Sequence, residues 1–474
     1  MNVARSSFKI FLAESLGVVL SLVGITFFAR ELSSSELGAF FLFQALLFFL
    51  SVPTDLGIRM ATEKRISGEA DPASVLSTAI LMKGGLLALT VTGLFLARDF
   101  LYTYIGYDLV AFLAVGLVLQ EVSGLMKNVL AGELRVGETA FIDFSNTLTK
   151  YVGGAILLVA GHGVVGLVVG HLAGLVVRLL LAFRASDTGF GRPRTDLMRS
   201  LGTYGKYAVL PHVGQQVHQW MDVLLIGFIL TNNAVSIYEL AWRIAGPVLL
   251  LARSIGTAIF PQFSSWDSAG SQEAIERLFS RIITPALLLV FPAFFGVAVL
   301  SREILSLVFG PEYAVGWLAL ILIMAGKVPG AVQNVVGSSL YGLNKPKYVT
   351  IGTSITIVTN VAFNLVLIWQ LGIVGAAIGT IAATTLATTV MIYYLSRLIN
   401  ITVPYDELGW CLGASAVMAG VLYAAKTTIA IDSVAHLAGF VVAGVVLYGT
   451  FVSLYPPIKE QITSQLRETV PWSS

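Results

Sequence analysis

The sequence predicts an all-α integral membrane protein of about fourteen transmembrane helices, and two observations support this fold class. Of the 474 residues, 56% are hydrophobic and only 12% are charged, whereas soluble domains carry about 25% charged residues. Apolar runs of about 20 residues, the length that crosses a bilayer, recur from one end of the chain to the other. The net charge of +2 gives no strong field for nucleic acid, and the single cysteine, Cys411, excludes an internal disulfide.

The apolar runs define the predicted spans in chain order. They occupy 8–30, 36–58, 75–97, 109–131, 140–160, 163–185, 204–230, 234–260, 282–300, 314–341, 349–370, 372–398, 405–426 and 433–454. The first run could be a signal peptide, but its length and the runs that follow favour a retained helix. The run 140–160 is the most polar, because Asp143, Asn146 and Lys150 interrupt it. Alternating charged and apolar residues over 264–281 predict a short amphipathic helix on the membrane surface.

The two halves of the chain share three segments at nearly constant spacing. The pairs are Leu32–Phe40 with Leu230–Tyr238, Leu130–Arg135 with Leu340–Lys345, and Gly163–Gly170 with Gly372–Gly379. This repeat predicts two six-helix lobes with the same orientation in the membrane, which could enclose a cavity and rock for alternating access. The predicted boundaries are an N-lobe over 1–185, a cytoplasmic linker over 186–203, a C-lobe over 204–398, and two extra helices with a tail over 399–474.

The distribution of basic residues predicts the orientation. If the N-terminus is cytoplasmic, most lysines and arginines between the spans fall on the cytoplasmic side, as the positive-inside rule requires. An even number of spans places the C-terminus on that side too. We therefore expect a multi-pass protein of the plasma membrane with both termini in the cytoplasm.

Motifs for cofactors are weak or missing in the sequence. The segment Gly161–Gly166 fits the dinucleotide pattern G-x-G-x-x-G, but no strand precedes it, and close helix packing explains its glycines better. No phosphate-binding motif of the form G-x-x-x-x-G-K-[ST] occurs, and the five histidines lack metal-ligand spacing. We expect no ATP site, no metal site and no cofactor.

Charged residues inside the spans are the candidate functional residues, since each costs about 2.5–3.5 kcal/mol at a helix centre and should face a cavity or a partner. Arg253, Lys83 and Lys327 have no acidic residue within one turn of their own helix. Arg253 corresponds to Asp55 under the offset that relates Leu32 to Leu230. The alternative for these cations is that the side chain reaches the membrane interface, which suits Lys83 best.

Other charges inside the spans pair along one helix or form candidates for ion coupling. Mutual neutralisation is expected for Asp55 with Arg59, Glu239 with Arg243, and Asp143 with Lys150. Candidates for proton or cation coupling are Glu14, His218, Asp222 and Asp55. His218 and Asp222 share a helix face, and a hydrogen bond between helices is the alternative explanation for them.

The sequence resembles the polysaccharide flippases of the multidrug/oligosaccharidyl-lipid/polysaccharide exporter superfamily. The resemblance rests on Leu32–Phe40 and its counterpart Leu230–Tyr238, on Tyr238–Arg243, and on Gly342–Lys347. It implies a two-lobe fold with a V-shaped central cavity and the flipping of a lipid-linked oligosaccharide. The general character of the sequence favours an archaeal member, with a dolichyl phosphate or pyrophosphate carrier and an N-glycan as product.

The charge pattern agrees with such a substrate, because lysine and arginine bind phosphate. The resemblance places the head-group contacts on Arg253 and Arg243, followed by Lys83 and Lys327. Three other functions remain open. They are a cation-coupled multidrug exporter of the same superfamily, a flippase for a lipid-linked peptidoglycan precursor, and a membrane-embedded glycan polymerase or glycosyltransferase, which the short outside loops disfavour.

Overall fold

The computed structural model describes the backbone of residues 3–68 and 71–458, and the side chains of residues 15–68, 71–206 and 219–458. Throughout these ranges the regular structure is helical. The helices are α1 Val3–Glu31, α2 Ser34–Asp55, α3 Ile58–Ile66, α4 Pro72–Leu96, α5 Arg98–Ile105, α6 Val110–Gly132, α7 Val136–Val159, α8 Gly163–Ala185, α9 Thr195–Ile229, α10 Asn232–Ala245, α11 Leu250–Ser268, α12 Gln272–Leu287, α13 Val290–Glu303, α14 Trp317–Gly342, α15 Pro346–Leu371, α16 Ile373–Leu395, α17 Tyr405–Thr428 and α18 Val434–Ser453.

The described residues contain eleven helical segments that are long and apolar enough to cross a membrane. The helix α7 is not among them, because it carries the three polar residues that interrupt the predicted run 140–160. The helices α1 and α9 are 29 and 35 residues long and are also not among the eleven. The all-α membrane class is therefore confirmed, and the count of fourteen spans stays a prediction.

Three predicted segments differ from the helices of the structure. The predicted span 234–260 is interrupted by a 3-10 turn at Gly246–Leu249, where Pro247 lacks the N–H that an α-helix needs. The helix α9 begins at Thr195, inside the predicted linker 186–203. The predicted amphipathic helix 264–281 is divided in the structure. Its first residues belong to α11, which ends at Ser268, and the rest forms α12, which continues to Leu287 because its buried face extends into the apolar sequence that follows.

The chain divides into two compact units, Met1–Ser236 and Ile237–Ser474. Each unit has its own apolar core. The first contains a cluster around Leu76, Val129 and Leu201, and the second contains a cluster around Phe263, Val335 and Leu395.

Corresponding turns of the two units have matching backbone geometry. Leu134 and Asn344 both have positive φ, 60° and 54°. In each turn the next backbone N–H, that of Arg135 or Lys345, donates a 2.9 Å hydrogen bond to the carbonyl of the residue five positions earlier, Leu130 or Leu340. Such a conformation is uncommon outside glycine. Its recurrence at paired positions supports the internal repeat predicted from the sequence.

The glycine segments of the repeat bring helices into close contact. Gly170 of α8 lies against Gly154 of α7, where an added Cβ would come within 2.4 Å of the Gly154 nitrogen. Gly379 of α16 lies against Asn364 of α15, where a Cβ would come within 2.4 Å of the amide oxygen. The glycine pattern thus serves helix packing in both units, as small residues do in membrane proteins.

Candidate functional site

Four charged side chains form a buried cluster in the first unit. The Lys83 ammonium on α4 donates to Asp55 Oδ1 and to Glu121 Oε2, both at 2.6 Å. Arg59 contacts both carboxylates as well, with its Nε 3.3 Å from Asp55 Oδ1 and its Nη2 against Glu121 Oε1. We call Asp55, Arg59, Lys83 and Glu121 the Lys83 cluster. It is balanced in charge and joins α2, α3, α4 and α6.

A break between α2 and α3 positions Arg59 in this cluster. Leu56 and Gly57 both have positive φ, 44° and 79°, so the chain turns and α3 begins at Ile58. Gly57 lies against α9, where a Cβ would approach the Gly205 carbonyl oxygen to 2.5 Å. Gly124 on α6 leaves room for the Arg59 guanidinium, since a Cβ there would lie 2.8 Å from Nη1.

A second charged group of the first unit surrounds Asp143 on α7. Its carboxylate contacts Lys127 of α6 and lies 3.7 Å from Arg178 Nε of α8. The partners that the structure shows for Asp143 therefore come from neighbouring helices. The sequence predicted Lys150 from the same helix, and the Lys150 ammonium lies 5.0 Å from the centroid of the Tyr151 ring.

In the second unit, Glu239 and Arg243 form the ion pair that their spacing predicted, at 2.8 Å. On the same helix, Trp242 lies beneath the Lys327 ammonium of α14, 3.6 Å from the ring centroid. Lys327 is buried. A cation over an indole face is stabilised by the ring quadrupole, so Trp242 of α10 provides a binding face for the α14 ammonium.

Arg253 on α11 has different surroundings. The buried face of α11 carries Ala252, Gly256 and Ile259, and the Arg253 side chain is exposed beside it. Among the residues described, no ion pair or side-chain hydrogen bond of Arg253 is formed. Arg253 is thus a cation within a membrane-spanning segment whose guanidinium donors remain available.

The remaining candidates have varied placements. Asp222 is buried on α9. Asp55 is engaged by Lys83 and Arg59 in the Lys83 cluster. The side chains of Glu14 and His218 lie outside the described residues.

Sequence reasoning did not assign a site role to Arg59, Glu121 or Arg178. Arg59 lies one residue beyond the predicted span 36–58, so it was considered only as the partner of Asp55. Its place four residues after Asp55 was the available signal. Glu121 has no basic residue in its own turn, so its two partners could be identified only once α3 and α4 were placed beside α6.

Comparison with known proteins identifies the family. A model of the polysaccharide biosynthesis protein family matches residues 27–316. The chain is 40% identical to the probable low-salt glycan biosynthesis flippase Agl15 of Haloferax volcanii, over 99% of this chain and all of that protein. This chain belongs to the polysaccharide biosynthesis protein family. It is also 26% identical to the probable flippase AglR of the same organism, over 99% of both chains.

Solved structures of the same fold support the architecture. The lipid II flippase MurJ in an inward closed conformation superposes with a TM-score of 0.80 at 15% identity, covering 94% of this chain and 98% of its own. An inward-facing multidrug resistance transporter of the MATE family superposes with a TM-score of 0.63 at 16% identity, covering 82% of this chain and 97% of its own. At these identities the likeness establishes the fold and leaves the substrate to the site.

Proposed function

We propose that this protein flips a lipid-linked oligosaccharide, a dolichyl or polyprenyl phosphate or pyrophosphate glycan, from the cytoplasmic to the outer face of the plasma membrane. The observation that carries the proposal is Arg253, an exposed guanidinium in a membrane-spanning segment with no ion pair among the described residues. A guanidinium is the side chain best suited to bind phosphate through paired hydrogen bonds. Family membership and full-length similarity to a probable glycan biosynthesis flippase support the same substrate class.

The head-group contacts follow from the geometry of the candidates. Arg253 offers donors to an anion, and the Arg243 side chain, although paired with Glu239, is partly exposed. Lys83 is buried between two carboxylates, so we assign it a structural role. Lys327, stacked on Trp242, is a further cation in contact with the helix that carries Arg243.

We infer a transporter and not an enzyme. The two repeated lobes are expected to have the same orientation, with the boundaries 1–185 and 204–398 and both termini in the cytoplasm, and to work by alternating access. A proton or cation gradient, or downstream consumption of the product, is the expected energy source, because the sequence has no phosphate-binding loop. Among the coupling candidates whose side chains the structure describes, we favour Asp222 as the group that binds the proton or cation. Asp55 already forms ion pairs with Lys83 and Arg59.

A reconstitution experiment tests the proposal. The purified protein in sealed vesicles should carry a dolichyl phosphate oligosaccharide from the inner to the outer leaflet, measured as the fraction of glycan that an added glycosidase can cleave. Vesicles without protein give the background. Export of a cationic dye without glycan movement would instead support the multidrug exporter, and movement restricted to a lipid-linked peptidoglycan precursor would support that flippase.

A further inference from the structure

A basic groove lies between the end of α3 and the first turns of α9 in the first unit. Its volume is about 820 Å³, and it opens to the surface. Two arginines, Arg65 and Arg199, line it. The lining also contains four residues with hydroxyl groups, which are Thr195, Ser200, Thr203 and Tyr204. We call this the α3–α9 groove. Neither the motifs of the sequence nor the candidate transport residues account for it.

The charge of the groove favours an anion. The one acidic residue in its lining, Asp196, is held by Arg194 through two hydrogen bonds of 2.7 and 3.1 Å. The Arg194 guanidinium lowers the pKa of Asp196, which therefore stays ionised and paired. The nearby carboxylate of Glu63 accepts a 2.6 Å hydrogen bond from Asn128. The lining thus carries two arginines, Arg65 and Arg199, against one carboxylate, and Lys64 precedes Arg65 on α3.

An apolar strip begins next to the groove. Met60 is 49% exposed on α3, and Lys64 lies one turn further along the same face; Leu56, 43% exposed, stands in the break just before α3. The backbone of Leu56 and Gly57 lies against Gly205 of α9, the residue that follows Tyr204 of the groove lining. One surface therefore presents apolar side chains first and basic side chains one to two turns later.

This order of side chains matches a molecule with an apolar chain and an anionic head. A free phosphate would use the basic groups alone and would gain nothing from Leu56 and Met60. Basic clusters next to a membrane-spanning segment attract anionic lipids by about 1 kcal/mol per residue, and arginine with hydroxyl groups can add directed hydrogen bonds to phosphate.

We propose that the α3–α9 groove binds the phosphate head group of an anionic membrane phospholipid, whose acyl chain lies along Leu56 and Met60. Arg65 and Arg199 contact the phosphate, and the hydroxyl groups of Ser200, Thr203 and Tyr204 contact its ester and glycerol oxygens. The bound lipid joins α3 to α9. This site is separate from the Arg253 surface and does not depend on the nature of the transported glycan.

The test measures binding of a fluorescent phosphatidylglycerol to the purified full-length protein in neutral detergent. We expect Arg199→Gln to weaken binding about fivefold, and the pair Arg65→Gln and Arg199→Gln to weaken it about 25-fold. Arg199 is exposed, so this single variant keeps the test valid if Arg65→Gln impairs folding. Arg199→Lys should fall between the wild type and Arg199→Gln, because it keeps the charge and loses the paired hydrogen bonds.

Arg184→Gln is the matched control, since Arg184 is an exposed arginine at the end of α8 that does not line the groove. It should leave the affinity for phosphatidylglycerol unchanged. Equal losses in Arg184→Gln and Arg199→Gln would show general charge attraction and overturn the site. Competition by soluble glycerol phosphate as strong as by the lipid, or equal binding of phosphatidylcholine, would overturn it as well.

Discussion

Lys83 and Arg253 are both cations within a candidate membrane span and without an acidic residue in the neighbouring turn, yet the structure gives them opposite surroundings. Lys83 is buried and donates to two carboxylates from α2 and α6. Arg253 is exposed and forms no ion pair within the part of the chain that the structure describes. A charged residue without a partner on its own helix can therefore either connect neighbouring helices through ion pairs or remain exposed for binding, depending on which residues the other helices contribute.

The largest loss of stability is expected from replacing Lys83, which joins α4 to α2 and α6. Lys83→Met leaves Asp55 and Glu121 buried with Arg59 as the remaining cation of the Lys83 cluster, and loss of one partner from a buried ion pair costs about 3–5 kcal/mol. We expect most of the variant to be lost during purification and the remainder to unfold at a much lower temperature. The readouts are the yield of monodisperse protein in detergent and the midpoint of thermal unfolding.

A double variant checks that charge balance is the cause. Lys83→Met with Glu121→Gln leaves Asp55 paired with Arg59, so the double variant should lose about 0.5–3 kcal/mol less stability than the sum of the two single losses. Simple addition of the two losses would disprove the cluster as a unit.

A smaller effect is expected from the backbone that positions Arg59. Gly57→Ala places a side chain at φ 79° and within 2.5 Å of the Gly205 carbonyl oxygen, which should cost about 2–4 kcal/mol. The helix break of the second unit provides the control, because a Cβ at Gly246 meets no atom within 4 Å and the residue has no positive φ. Gly246→Ala should therefore unfold at nearly the wild-type temperature, and equal shifts in the two variants would argue against this account of the α2–α3 break.

The sequence predicted the fold class and the family, because hydrophobic run length and short motifs are local properties of the chain. The pairs Asp55–Arg59 and Glu239–Arg243 were also predictable from their spacing. The Lys83 cluster was not, since Lys83, Asp55 and Glu121 lie on different helices and their contact depends on packing. The 3-10 turn at Pro247 was not predicted, because proline in a membrane helix can produce either a mild kink or a break.

The most direct test of the account is the flipping rate of Arg253→Ala in vesicles that contain equal amounts of folded protein. If Arg253 binds the phosphate of the lipid-linked glycan, the rate should fall at least about tenfold while the unfolding temperature stays unchanged. Arg302→Ala, which removes an exposed arginine stacked on Trp317, should retain the wild-type rate. An unchanged rate in Arg253→Ala would contradict the account and remove this residue from the mechanism.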